Sequence, residues 1–262
     1  MTIRQPAVAG MFYPDDPKEL FALINIYLEE AKDIPLGSLR GGITPHAGYI
    51  YSGPIAGVLY RQLKTLPQKK YIVFLMGPAH HEFTSITVGD YDSFLTPLGE
   101  VPIAKDICEQ LVAQNFCTNE IRPHIREHSL EVQLPFLQTV LNDFEIVPLL
   151  CGDCTADELF QVIEPYWKRE DCLFIASSDL SHYLPYAQAQ EIDRVSLDYI
   201  TSLNIVRKDS IDACGKIPIQ ALMLLAQVKE AELCLLDYRN SGDTAGDKGQ
   251  VVGYGALGMY KH

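Results

Sequence analysis

The sequence predicts a single α/β domain with a central, largely parallel sheet and helices on both faces. Three observations carry that reading. Residues 71–76, 144–150 and 172–176 are short, nearly continuous apolar runs, the pattern of strands buried on both faces. Apolar residues at helical spacing fall between and after these runs, and strands alternating with helices favour parallel pairing. No repeat, low-complexity stretch or linker-like segment divides the 262 residues, so one domain over 1–262 is the simplest organisation.

Each element follows from local signals. Asp16 and Pro17 read as an N-cap and a first helical position, followed at helical spacing by Leu20, Leu23, Ile24, Tyr27, Leu28 and Ala31. Ile43 lies in a short run closed by Pro45, and Ile55, Val58, Leu59 and Leu63 then mark a second helix. The run at 71–76 ends at Gly77-Pro78. Helical patterns near 104–114, 130–142, 156–168, 186–203 and 218–229 alternate with the remaining runs, and 232–238 and 250–260 read as closing strands.

Composition narrows the partners. The 21 Lys and Arg against 34 Asp and Glu give a net charge of −13, which argues against nucleic acid and acidic membrane surfaces because both demand clustered cations. Apolar residues at 47% against 21% charged describe a folded chain rather than a disordered one. No apolar run approaches the ~18 residues of a membrane span. The first residues lack the basic-then-apolar pattern of a secretory signal. Seven cysteines, an odd number, favour reduced thiols over a disulfide framework and lead us to expect a cytoplasmic protein.

In parallel sheets ligands gather beyond the carboxyl ends of the strands. Pro45-His46-Ala47-Gly48-Tyr49 follows the strand at Ile43, and Gly77-Pro78-Ala79-His80-His81 follows 71–76. Ser177-Ser178-Asp179-Leu180-Ser181-His182 follows 172–176. Separate strand ends thus each deliver His or Asp from a chain with only seven His, and these side chains are the usual metal ligands and acid–base groups. His124 and His128 stand four apart; the context before a helix favours His128 as a hydrogen-bonding or proton-moving residue and His124 as a surface residue. Cys214 precedes an apolar helix, where a thiol is either a small turn residue or a thiolate suited to metal.

Other strings are set aside. Cys151-Gly152-Asp153-Cys154 has the strand-to-helix context of a redox dithiol, but no other feature of a small redox fold accompanies it. Gly253-Tyr254-Gly255-Ala256-Leu257-Gly258 matches a dinucleotide-binding string, yet no helix can follow it, and glycines in a closely packed last strand explain it better. There is no phosphate-binding lysine loop, serine-hydrolase elbow or zincin helix.

Taken in order, the motifs resemble the Memo family, whose prokaryotic members are called AmmeMemoRadiSam system protein B. The likeness runs from Arg4-Gln5-Pro6-Ala7-Val8-Ala9-Gly10-Met11-Phe12-Tyr13-Pro14 through the His46 and His80 segments. It continues in Glu127-His128-Ser129-Leu130-Glu131-Val132-Gln133-Leu134-Pro135, the Asp179 and His182 segment, Cys214-Gly215, the 238–243 stretch and Val252-Gly253-Tyr254. The resemblance implies a fold like that of class III extradiol dioxygenases, which are non-haem iron enzymes. It also implies His46, His80 and Cys214 as metal ligands, Asp179 and His182 beside them, and a role for His128 left open. His81 would be a neighbour, and Cys151 and Cys154 lie outside the family pattern. The dioxygenases use two His and a carboxylate; a Cys214 thiolate is softer, suits copper(I) or iron, and is itself oxidisable, which sets this chain apart from ring cleavage.

Three functions follow. The first is a redox enzyme using iron or copper on a small molecule, with His128 or His182 moving protons and Asp179 orienting an imidazole. The second is a metal-holding or peptide-binding module with a His-lined pocket, working with the radical-enzyme partner that the family name implies. The third, a hydrolase using His128 or His182 as base, has no identifiable nucleophile.

Overall fold

The apolar runs lie side by side at the centre of one sheet. The structure, a computed structural model, describes every residue except Met1, Pro35, Phe83 and His262, so the two ends of the expected 1–262 domain fall outside the described residues. The first half of the chain forms β1 (Ile3–Arg4), α1 (Pro17–Glu30), β2 (Ser38–Thr44), α2 (Tyr49–Leu63), β3 (Lys70–Pro78), β4 (Ile86–Thr87), β5 (Ser93–Thr96), β6 (Gly99–Pro102) and α3 (Lys105–Ala113). Then come α4 (Arg122–Ile125), α5 (Leu134–Val140), β7 (Asp143–Cys151), α6 (Ala156–Ile163), β8 (Cys172–Ser177) and β9 (His182–Leu184). The chain closes with α7 (Tyr186–Thr201), α8 (Lys216–Val228), β10 (Ala231–Asn240), α9 (Ser241–Thr244) and β11 (Val251–Lys261).

The larger sheet runs β10-β11-β2-β8-β3-β7-β4, with β9 paired to β11. Its centre, β2-β8-β3-β7, is parallel, while β10, β11 and β4 add antiparallel strands, so the sheet is mixed around a parallel core. Val73, Phe74, Leu75 and Met76 of β3 are fully buried, as the unbroken run requires. Each such side chain contributes about 1.5–3 kcal/mol relative to exposure. α1, α2 and α5 pack together, as do α6 with α8 and α7 with α8, and these groups clothe the sheet. Among the described residues no helix is long and apolar enough to cross a membrane.

Asp16 caps α1 as its sequence position predicts, accepting the backbone N–H of Lys18 and Glu19 at 2.9 Å. Proline accounts for several displaced boundaries. The second helix begins at Tyr49 rather than Ile55, with Pro54 inside it. Pro135 opens α5 after a short 3-10 turn over Glu131–Gln133, and Pro165 falls in the 3-10 turn that follows α6. Such turns replace the single long helices expected at 130–142 and 156–168, because proline removes a donor and crowds the preceding turn. A second sheet, β1-β5-β6, was not expected; its strands are too short to show a period.

The last strand explains its glycines. A Cβ on Gly253 would sit 2.0 Å from Asp193 Oδ2, so Gly253 lets α7 close onto β11. Asp193 in turn accepts the Ser181 N–H at 2.9 Å and the Tyr238 hydroxyl at 2.8 Å, bracing the loop between Asp179 and His182.

Candidate metal centre

His46 follows β2, His80 follows β3, and His128 precedes the turn into α5. One ring nitrogen from each lies within 4.8 Å of the others, close enough to hold a single metal ion. The His80 and His128 rings stack with centroids 4.7 Å apart, and the His46 ring stands nearly perpendicular to both at 5.3 Å.

Hydrogen bonds fix which nitrogen each ring presents. His46 Nδ1 lies 2.9 Å from Ser177 Oγ. That hydroxyl donates its only proton to the Ser129 carbonyl at 2.6 Å and accepts Gln133 Nε2 at 2.7 Å. Its remaining role is acceptor, so His46 Nδ1 carries the proton and Nε2 keeps its lone pair. Gln133 cannot reverse, because its Nε2 also donates to the Pro45 carbonyl at 2.9 Å and its Oε1 accepts the Tyr60 hydroxyl at 2.9 Å. His80 Nδ1 donates to Glu127 Oε1 at 2.9 Å, which leaves Nε2 as the atom of this ring that a metal would take. Outer partners of this kind orient metal-binding imidazoles.

Glu127 is buried and also accepts the backbone N–H groups of His80, His128 and Ser129 at 2.6, 2.9 and 2.9 Å. Burial resists its charge, but the bonds from His80 and the backbone prevail and hold its pKa well below the usual carboxylate range. Glu131 acts one turn later. It pairs with buried Arg4 and accepts the N–H groups of Ala7 and Val8 at 2.7 and 3.0 Å, tying the N-terminal segment to the site.

Burial lowers the pKa of His46, assisted by the neighbouring His128 and His80, and keeps it neutral. Burial likewise brings His128 to about 4. At His80 burial acts in the same direction, but hydrogen bonds to Cys214 and Glu127 outweigh it and raise the group to about 10. A metal ion therefore competes with a proton at His80 and meets two neutral imidazoles.

Cys214 sits just before α8, with Sγ 3.3 Å from His46 Nε2 and accepting the Asp179 N–H at 3.3 Å. Gly215 permits this approach, since a Cβ there would meet the Ser177 carbonyl at 2.6 Å. Asp179 does not orient an imidazole. Its carboxylate holds the His46 N–H at 2.8 Å and also that of Ala47, while burial raises its pKa to about 7. His182 is half-buried at the start of β9, is coupled electrostatically to His46 and His80, and is pushed toward the neutral form by burial. The structure thus gathers His46, His80, His128 and Cys214, backs them with Asp179, and sets His182 nearby.

His124 is a correction. It is 1% exposed, packs against Phe94, and directs Nε2 at the Thr87 carbonyl, 3.2 Å away, outside the cluster. The short α4 buries it where a surface position was expected. His81 remains a neighbour, its ring 6.2 Å from that of His128. Ser177, Gln133, Glu127, Glu131 and Arg4 were not singled out from sequence. Their available signal was polar residues four apart, Glu127 and Glu131, within a segment whose Leu130, Val132 and Leu134 read as core.

A cavity of about 410 Å³ opens beside Cys214 and is lined by Ala79, Glu82, Cys151, Asp153 and Lys216 among others. Its size suits a small molecule.

Comparison with known proteins gives one family. The family model described as Memo-like protein matches residues 4–258. A MEMO1 family protein from Thermoplasma acidophilum is 34% identical, covering 97% of both chains. Those from Archaeoglobus fulgidus and Methanopyrus kandleri are 36% and 38% identical, each covering 97% of this chain and 98% of its relative. Among solved structures, an uncharacterized protein from Escherichia coli K12 is similar at 16% identity and TM-score 0.45, covering 76% of this chain and 91% of that one.

Proposed function

The chain belongs to the Memo family, and from that premise we propose that it is a metal-dependent redox protein acting on a small molecule at His46, His80 and His128. The observation that carries this reading is the engagement of His46 Nδ1 by Ser177 and of His80 Nδ1 by Glu127, which leaves Nε2 of each ring to take the ion, at His80 by displacing a proton. Iron or copper suits three imidazoles beside the Cys214 sulfur, and would supply Lewis acidity and electron transfer there.

The chain's own groups do the rest. Asp179 holds the backbone at His46, so the ring keeps its place. His182, half-buried and pushed toward the neutral form by burial, is the base assigned to proton transfer beside the centre. Lys216 on the cavity wall offers a cation to an anionic substrate. Among the described residues the cluster contains no carboxylate, so its donor set departs from the one that ring-opening dioxygenases use. The seven free thiols fit a cytoplasmic setting, where they stay reduced.

A second reading is a metal-holding or peptide-binding module that works with a radical enzyme. It draws on the engagement of both nearby carboxylates, Glu127 and Asp179, with backbone N–H groups, which leaves imidazole alone for proton transfer. The test is anaerobic purification with metal quantification, followed by oxygen uptake in the presence of catechol-type substrates. The redox reading predicts bound iron or copper, its loss in His46→Ala and Cys214→Ala, and metal-dependent oxygen uptake. Unchanged metal content in both variants would overturn the site; bound metal without turnover would favour the module.

A further inference from the structure

Cys151 and Cys154 occupy a place that the metal centre does not use. Cys151 ends β7, Gly152 and Asp153 turn the chain, and Cys154 stands immediately before Thr155, the N-cap of α6. The turn is held tightly: Gly152 N–H reaches the Ser85 carbonyl at 3.1 Å and Cys154 N–H the Gly152 carbonyl at 3.0 Å. A Cβ on Gly152 would lie 2.3 Å from the Thr84 carbonyl, so the tight turn requires glycine there. The turn sets the two thiols close enough to perturb each other's ionisation.

The two cysteines border different spaces. Half-buried Cys154 lines a cavity of about 410 Å³ with Phe116, Cys117 and Gln161. Buried Cys151 lines the cavity of about 410 Å³ that also holds Cys214 and Lys216. The motif is therefore part of the wall of two pockets, with one cysteine bordering each.

We propose that Cys151 and Cys154 form a redox-active dithiol that exchanges with low-molecular-weight thiols and disulfides. The Cys154 thiolate attacks one sulfur of a small disulfide, and the displaced thiolate leaves and takes up a proton. Cys151 then loses its proton and attacks Cys154 sulfur in the mixed disulfide, expelling the second small thiol. The protein dithiol is oxidised to an internal disulfide while one small disulfide is reduced to two thiols, and the reverse sequence restores the dithiol. Access selects Cys154 as the attacking sulfur.

Electrostatics agree with that order. The hydrogen bond with Cys151 lowers the Cys154 pKa, while that same bond and burial raise Cys151, an asymmetric pair in which one thiol is the nucleophile. Burial drives Cys108 and Cys117 up to about 12 and Cys172 up to about 11, leaving them as inert core thiols. Sequence context alone gave the motif little weight, because nothing else in the chain resembles a small redox fold. The geometry supplies what the string could not: a tight glycine turn that brings the two cysteines together, with a cavity bordering each.

The experiment equilibrates the intact protein in buffers of graded reduced-to-oxidised glutathione ratio, then traps free thiols and maps them by peptide mass spectrometry. The proposal predicts a reversible internal disulfide between Cys151 and Cys154, both thiols disappearing together at one ratio. Cys108, Cys117 and Cys172 should remain free. Cys151→Ser should accumulate glutathione on Cys154, and Cys154→Ser should abolish the transition. Persistent glutathionylation of the wild-type pair, a Cys117–Cys154 bridge instead, or two free thiols at every ratio would each overturn it.

Discussion

The parallel strands β2 and β7 carry their reactive groups at equivalent ends, yet the two ends are built differently. At the β2 end Ser177, fixed by Gln133 and Tyr60, orients the His46 ring while Asp179 holds the His46 backbone N–H. At the β7 end Cys151 has a weak contact from its sulfur to the Leu149 carbonyl at 3.8 Å and a second thiol for company. One end is preorganised to present a lone pair. The other keeps sulfur free to change partners. The same topological position would thus suit ligation where polar partners saturate it and exchange where they do not.

The largest expected effect breaks the first end outright. Glu127→Ala removes the acceptor of His80 Nδ1 and of backbone N–H groups on both sides of the site. Metal affinity should fall about 10–100-fold and stability by about 3–5 kcal/mol, read by metal titration and denaturant unfolding, while glutathione exchange at Cys151 and Cys154 persists. Arg4→Ala should cost a similar ~3–5 kcal/mol, because it leaves Glu131 as an uncompensated buried charge.

A pH titration sharpens the contrast between His124 and the cluster. Burial, with help from Arg4, lowers the His124 pKa to about 3, so the native state keeps it neutral where the unfolded chain protonates it. Its contribution is complete above the unfolded value of about 6.5 and is lost as pH falls toward about 3, at roughly 1.4 kcal/mol per pH unit. Between those values the pH dependence of stability should become shallower in His124→Gln than in wild type by about this amount, with metal binding retained at neutral pH.

Ser177→Ala is gentler. It removes the acceptor that sets the His46 tautomer, and should lower metal affinity about tenfold and stability by about 1–3 kcal/mol, with the thiol pair unaffected. Asp16→Ala, remote from both ends, should cost about 1 kcal/mol through loss of the α1 cap and leave metal binding and thiol exchange as they are.

The parallel core was legible because β3, β7 and β8 are buried on both faces, and burial writes itself into sequence as an unbroken apolar run. The small sheet was not, since β1 is set by pairing across the chain with β5, and the strands of the β5–β6 hairpin are too short to show a period. At the site, the strand-end rule pointed to His46, His80, Asp179 and His182, while the place of Cys214 before a helix left it open between turn residue and thiolate until the family likeness implied a ligand. The outer partners were harder to see. Ser177 and Gln133 are ordinary residues until the fold turns their hydrogen bonds onto one imidazole. His128 and His124 share a spacing that looks like one helical face, but a turn separates a cluster imidazole from a core imidazole.

The central claim, that three imidazoles share one ion, is tested most directly by X-ray absorption spectroscopy on protein loaded anaerobically with iron(II). The account predicts scattering from the three imidazoles of His46, His80 and His128, and the loss of one imidazole in His128→Ala while His124→Ala keeps all three. An unchanged imidazole count in His128→Ala, or a spectrum dominated by water oxygens in wild type, would contradict it.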